Sequence, residues 1–335
     1  SLNNVPEIEP NPDKNIPGHK GWRLWYNDFR YNGPDDRDLM PDELNAQWAA
    51  EQLQQKHNKP FMLCVGFNRP HAPLIVPQKY FDMFPFDSVR LAESFPNDTA
   101  DCADILVNAT DYGTEGYGYK SFNTIKNYQP YGLKKWTQAY LACVAFVDDQ
   151  IGKVLEALES SDYADNTIIV FSSDHGYHMG QKNWLFKNTL WRNATRVPFI
   201  ISGPGISRGE QSDFPVSLLD IYPTMIDLCS LPSDPNSNGN ALTLDGQSLL
   251  PILKNKNTLL ERNYVVSFVS SKTHEELKGE VGAYTDHHTA IIDKKYRYIR
   301  CFNGEEELYY LPDDPMEVSN LIKKAELKKE VKYFR

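Results

Sequence analysis

The residues of this chain with the most chemistry to offer arrive together at Ser173-Asp174-His175-Gly176, directly after the β-branched run 166–173 (NTIIVFSS). An adjacent carboxylate and imidazole can both reach one divalent cation, the carboxylate supplying charge and the imidazole a softer nitrogen donor. In an open α/β sheet, ligands bind beyond the carboxyl ends of the strands, which is where this tetrapeptide would lie. The competing reading is a turn in which the Asp side chain caps the amides that follow. Downstream, Lys182 and Lys187 lie in the loop GQKNWLFKNTLW, among Trp184, Phe186 and Trp191. A lysine there can hold an oxyanion as a point charge. Lys187, between apolar neighbours, is the better candidate, and Lys182 reads more readily as a solvated surface lysine. His71 stands in Asn68-Arg69-Pro70-His71-Ala72-Pro73, where two prolines restrict the backbone around one imidazole, as suits a general acid or an anion ligand. His178, His287 and His288 are weaker candidates for substrate contacts, and His175-Gly-Tyr-His178 does not have the HExxH zinc spacing. No Walker-type loop, dinucleotide glycine fingerprint or G-x-S-x-G elbow occurs, and no nucleophile stands out.

Elements able to position these groups are legible in the pattern. Residues 41–56 open with Pro41-Asp42-Glu43 and carry Leu44, Trp48, Ala49 and Leu53 at helical spacing. The run 61–67 (FMLCVGF) predicts a short strand covered on both faces, just before His71. Residues 134–158 predict a long helix with an apolar stripe through Trp136, Tyr140, Val144, Val147, Ile151, Val154, Leu155 and Leu158. The runs 166–173 and 197–202 predict strands, and 215–228 an apolar helix. This alternation implies an α/β fold with a mixed, largely parallel sheet flanked by helices. The long aperiodic stretch 85–131 could shape a substrate cleft. Beyond residue 258 the texture changes to strands at 265–269, 282–292, 296–302 and 307–311, with turns at Asp293-Lys294-Lys295 and Asn303-Gly304, and a charged helix at 321–334. The expected organisation is a main domain over 1–257 and a small C-terminal α+β antiparallel subdomain over 258–335.

Composition narrows the function. With 335 residues, 41% hydrophobic and 24% charged, the chain is neither disordered nor fibrous, and its net charge of −10 has the wrong sign for holding nucleic acid over a broad surface. No apolar stretch is long enough to predict a transmembrane segment. The five cysteines form no CxxC pair or zinc spacing; Cys64, Cys143 and Cys229 sit in apolar runs and read as small buried hydrophobes.

Several longer pieces then fall into a familiar order: KPFMLCVGFNRPHAPL (59–74), AYLACVAFVDDQIGKVLEAL (139–158), DNTIIVFSSDHGYHMG (165–180), LFKNTLWRNATRVPFI (185–200), VSLLDIYPTMIDL (216–228), LDGQSLLP (244–251) and ELYYLPDDPMEVSNL (307–321). In these the chain resembles the sulfatase family of the alkaline-phosphatase-like superfamily, and within it the iduronate-2-sulfatase type. The resemblance implies that Asp174 and His175 ligate a divalent cation, calcium or alternatively magnesium. It also implies that Lys187 and His71 bind the sulfate or protonate the leaving group. Many family members carry Asn where this chain has His175. The family's nucleophile is a formylglycine made from the Cys or Ser of a C-x-P-x-R or S-x-P-x-R motif, and no cysteine or serine of this chain is followed by that pattern. The expectation is that the nucleophile and a pair of metal-binding aspartates belong to an N-terminal region absent from this sequence, on a missing segment or a companion chain, so that this chain alone is inactive. The implied activity is hydrolysis of a sulfated carbohydrate, such as a 2-O-sulfated uronate in a glycosaminoglycan. The alternatives are a phosphoesterase or phosphonate hydrolase of the same superfamily and a non-catalytic binder of sulfated glycans. By the same resemblance the protein is exported.

Overall fold

The structure is a computed structural model that describes residues 31–33, 36–107, 122, 131–232, 244–270 and 287–335. Its contacts divide the chain into two compact units. One takes the described residues of 1–92 and 121–167, and the other those of 93–120 and 168–335. Residues 168–257 thus share a unit with the C-terminal strands.

In the first unit, β1 (Tyr31–Gly33) pairs antiparallel with β2 (Asp36–Arg37), and the chain enters the helix Pro41–Leu53. Proline suits its first turn, where an amide proton would lack a partner, and the Glu43 carboxylate reaches back to accept from Met40 N at 2.8 Å. The face this helix buries is Asp42, Glu43, Ala46, Ala49 and Leu53. Leu44 and Trp48, expected in the apolar stripe, are instead about half exposed. Two fully buried alanines let the helix lie close against the long helix Gly132–Glu159, a contact the larger side chains would hold apart. The long helix is likewise rotated from expectation. It buries Trp136, Ala139, Ala142, Cys143, Phe146 and Gln150, whereas Val144 and Leu155 are exposed. Tyr80 closes this core edge-on to Phe146, 5.3 Å between centroids.

The run 61–67 forms no regular secondary structure and is not the strand expected. Among the described residues no ladder pairs with it, Met62 is 84% exposed, and Cys64 is exposed rather than buried. A strand is made by its neighbour's hydrogen bonds, and apolar composition alone does not supply one. Cys229 is also exposed, while Cys143 is buried as expected.

The second unit contains three sheets among the described residues. β3 (Ile169–Ser172) carries the chain to Asp174; a short antiparallel pair follows, β4 (His178–Met179) with β5 (Leu185–Phe186); β6 (Phe199–Ser202) returns beside β3. The C-terminal meander orders β7 (Tyr264–Ser270), β8 (His287–Asp293), β9 (Tyr296–Arg300) and β10 (Glu306–Tyr310) as 10-9-8-7, with both predicted turns in place. Every pair among the described residues is antiparallel, β3 with β6 included, so the parallel part of the expected sheet is not found among them.

The predicted helix 215–228 begins later, as a 3-10 turn Leu218–Asp220 running into the helix Ile221–Leu228. Ser217 and Asp220 form a capping box that fixes this entry, and the fully buried Asp220 carboxylate also accepts from Gln247 N at 2.9 Å and pairs with Arg262. Gly246 is required there, because a Cβ would meet Leu219 O at 2.1 Å. The terminal helix is shorter than 321–334. Leu321 N donates to Leu308 O at 2.7 Å and Asn320 Oδ1 accepts from Leu308 N, so the chain is tied to β10 until the helix Lys328–Phe334 can start. That helix seats Val331 and Phe334 on Tyr298 and Leu308. No helix among the described residues is long and apolar enough to cross a membrane.

Candidate active site

At the end of β3 the chain turns sharply, with Gly176 N donating to Ala194 O at 2.7 Å. A Cβ at position 176 would stand 2.1 Å from Asn193 O and 2.8 Å from Arg196 O, so only glycine lets the turn lie against the helix Arg192–Thr195. Gly176→Ala is therefore expected to cost about 1–3 kcal/mol as an overpacked site. Urea unfolding checks this, and an unchanged midpoint would show that the helix simply yields.

The turn presents two groups toward solvent. The Asp174 side chain is 82% exposed, and its Oδ1 accepts from His175 N at 3.0 Å. The cap anticipated as the competing reading is therefore present, and it leaves Oδ2 outward, 3.4 Å from His175 Nε2. The His175 ring is held at both nitrogens, Nδ1 lying 2.9 Å from Gly176 O and Nε2 2.7 Å from Lys187 Nζ. An ammonium only donates, so Nε2 accepts from Lys187 and the ring proton sits on Nδ1, donated to Gly176 O. Lys187, half-buried as its apolar neighbours implied, thus joins Asp174 and His175 in one constellation.

Asp174 fits as part of a divalent-cation shell through its outward carboxylate oxygen, whereas the one free lone pair of the His175 ring is taken by Lys187, so His175 joins such a shell only by giving up that hydrogen bond. The two are not a whole shell, since no group of three or more His, Cys, Asp or Glu side chains that could hold a metal exists among the described residues.

His71 belongs to the first unit. It is exposed, with Nδ1 2.6 Å from Ala72 O and its own amide donating to Asn68 O at 2.9 Å. The bend that delivers it is anchored by the buried Asp42, which accepts from Asn68 N at 2.8 Å and Arg69 N at 2.9 Å. An acid in the first helical turn signals a helix start, and nothing local in the sequence shows that it also caps a bend more than twenty residues away.

Three candidates are corrected. Lys182 is neither a solvated lysine nor a substrate contact. It is 3% exposed, and its ammonium donates to Asp98 Oδ1 (2.8 Å), Asp98 O (3.0 Å) and Glu317 O (2.5 Å). His178 is fully buried, its Nε2 2.7 Å from Thr189 Oγ1, and burial pushes its pKa down to about 3. His288 is 1% exposed, packed on Phe302, with its pKa pushed down to about 4 by burial and by His287. Neither imidazole can meet a substrate from there. His287 stays half-buried at the start of β8, edge-on to Phe268.

A buried network under the lysine loop escaped the sequence reading. Glu307, fully buried, accepts from Ala103 N (2.7 Å), Trp191 Nε1 (2.8 Å) and Tyr309 Oη (2.8 Å). Glu317, 1% exposed, pairs with Arg297 and accepts from Arg192 N at 2.8 Å. Both acids lie in the 307–321 piece, whose charged letters look like surface.

A sulfatase family model matches residues 9–231, two thirds of the chain. The chain belongs to the sulfatase family. A second model, the C-terminal part of N-sulphoglucosamine sulphohydrolase, matches residues 180–334. Among curated relatives, a sulfatase of Formosa agariphila is 33% identical over 302 residues, covering 90% of this chain and 54% of the relative. An arylsulfatase of Clostridium perfringens is 33% identical over 307 residues, covering 90% and 57%. The mouse iduronate 2-sulfatase is 27% identical over 226 residues, covering 58% and 41%. The chain thus spans about half the length of the curated relatives it matches. Among solved structures, the phosphonate monoester hydrolase of Agrobacterium radiobacter aligns with TM-score 0.69 at 25% identity, covering 87% of this chain and 58% of that one. A structure described as in complex with its substrate D-glucosamine-2-N,6-O-disulfate aligns with TM-score 0.67 at 21% identity, covering 90% and 69%. These neighbours establish the alkaline-phosphatase-like fold, and the sulfatase family generally uses a divalent cation and a formylglycine.

Proposed function

We propose that this sulfatase-family chain carries part of the active site of a sulfuric ester hydrolase acting on sulfated carbohydrate. The observation that carries this reading is the convergence of Lys187 Nζ, His175 Nε2 and the Asp174 carboxylate at the end of β3. When bound, a divalent cation would offset charge on the sulfuryl oxygens and the formylglycine hydrate would supply the attacking oxygen. Asp174 would hold the cation, joined by His175 once its Nε2 exchanges Lys187 for the metal, calcium by the family resemblance with magnesium as the alternative. Lys187 has three donors and spends one on His175, leaving others for a sulfate oxygen as charge builds on it. Its hydrogen bond to His175 holds the ammonium at the site until His175 Nε2 turns to the cation, which would free that donor for sulfate as well. By the family resemblance His71, exposed in the first unit with Nδ1 turned to Ala72 O, is the candidate to bind the sulfate or, when Nε2 is protonated, to protonate the departing alcohol.

The finer substrate is a 2-O-sulfated uronate, a reading supported by the match to the iduronate 2-sulfatase and the order of the shared motifs. The likeness to a phosphonate monoester hydrolase favours a second reading, a phosphorus ester of similar shape. Turnover of aryl sulfate, aryl phosphate and aryl phosphonate esters by the protein expressed from its complete reading frame separates the two. The proposal expects the sulfate ester to have the highest kcat/KM. Preference for the phosphonate would transfer the assignment, and binding of sulfated oligosaccharide without any turnover would leave a glycan-binding relative.

A further inference from the structure

We propose that Glu317 is a positioning residue for Lys187, an inference that rests on the sulfate-binding role given to Lys187 above. Lys187 stands midway between Lys182 and Arg192, five residues from each, and Glu317 grips both. Its backbone carbonyl accepts from Lys182 Nζ at 2.5 Å, and its carboxylate accepts from Arg192 N at 2.8 Å. The same carboxylate pairs with Arg297, whose guanidinium also donates to Leu190 O at 2.8 Å, so a third point of the loop is held through it. All of these groups are in the second unit, and Lys182, Arg297 and Glu317 are each less than 5% exposed.

The loop needs such a grip. Between Gly180 and Trp191, four non-glycine residues adopt left-handed backbone: Lys182 (φ 55°), Asn183 (φ 52°), Phe186 (φ 73°) and Asn188 (φ 29°). Conformations of this kind persist only where the surroundings over-determine them, and here they bracket the one lysine whose ammonium meets His175. Glu317 is itself left-handed, at φ 59°, which turns its carbonyl and its carboxylate toward opposite ends of the same loop. The 307–321 piece is therefore more than a stabilising tail. It sets where the cation of the site stands.

The test compares Glu317→Gln with Glu306→Gln in the protein from its complete reading frame. Glutamine at 317 removes the charge facing Arg297 and points an amide donor at donors. Glu306 pairs with Arg335 and Tyr298 in the same subdomain but touches no part of the loop. The readouts are the thermal midpoint, the inhibition constant for inorganic sulfate, and the 15N signal of His175 Nε2 in EDTA-treated protein, which reports whether that nitrogen still accepts a hydrogen bond. Glu317→Gln is expected to weaken sulfate roughly tenfold and to shift the Nε2 signal toward an unbonded nitrogen. Glu306→Gln should lower the midpoint and leave both others unchanged. If Glu317→Gln does not fold, Glu317→Asp, which keeps the charge and withdraws it by one methylene, should show a smaller shift of the same sign. A lowered midpoint with unaltered sulfate affinity and Nε2 signal would overturn the proposal and leave Glu317 as scaffold. Should wild-type protein bind no sulfate at all, the sulfatase reading fails on its own, and the Nε2 signal alone decides the positioning claim.

Discussion

Lys182→Met is expected to destabilise the fold by about 3–5 kcal/mol, the cost of leaving one partner of a buried ion pair without the other. The lysine and Asp98 are 3% and 7% exposed, 2.8 Å apart, and the ammonium also satisfies two carbonyls. Trp191 and Tyr309 close over it, their ring centroids 5.9 and 5.3 Å from Nζ. Methionine fills the space, so the loss is electrostatic: Asp98 is stranded in an apolar setting and the Glu317 carbonyl loses its donor. The double change Lys182→Met with Asp98→Leu should recover the part of the loss due to the stranded carboxylate, leaving the Asp98 and Glu317 carbonyls without their donor. Equilibrium denaturation in urea measures both. A single-variant loss below about 1 kcal/mol would be the value of a solvated surface pair and would contradict the burial seen.

Acid is expected to unfold the protein earlier than its carboxylates alone would. His178 and His288 titrate near 6.5 when unfolded but are pushed down to about 3 and about 4 when folded, in both cases chiefly by burial. The unfolded chain therefore binds more protons between those values, so stability is full above pH 6.5 and is lost as the pH falls toward 4. At about 1.36 kcal/mol per pH unit for each group, going from pH 7 to pH 5 costs about 2 kcal/mol through His178 and a similar or smaller amount through His288. Glu307 has the opposite sign. Burial raises its pKa above the usual 4.5, so its share is full below that value and declines as the pH rises. His178→Gln isolates the histidine term: an amide can keep the bond to Thr189 and cannot titrate. The difference in unfolding free energy between wild type and variant should shrink by about 2 kcal/mol from pH 7 to pH 5. A pH-independent difference would mean that His178 stays accessible to protons in the folded state.

The legibility of this chain follows the range of the forces involved. The β7–β10 meander was legible because its cues are local, alternating apolar residues and turns such as Asn303-Gly304. The helix Gly132–Glu159 was legible as an element, but not the face it buries, since Val144 and Phe146 are both apolar and only tertiary packing, Tyr80 against Phe146 among it, distinguishes them. The run 61–67 misled because apolarity names a strand without naming its partner. Asp174, His175 and Lys187 could be read from type and spacing, and the structure brings all three together. The lysine loop could not be read to the same depth. Whether Lys182 is solvent-facing or a buried anchor depends on Asp98 and Glu317, 84 and 135 residues away, and no periodicity carries that information.

The most direct test of the site is the kcat/KM of Lys187→Ala for 4-nitrophenyl sulfate, measured beside wild type in protein from the complete reading frame. Removing a preorganised cation aimed at developing charge is expected to lower kcat/KM by about 10²–10³ while leaving the fold intact. Wild-type turnover that survives the substitution within a factor of two would contradict the assignment of Lys187, and with it the claim that the end of β3 and the loop facing it form the sulfate site.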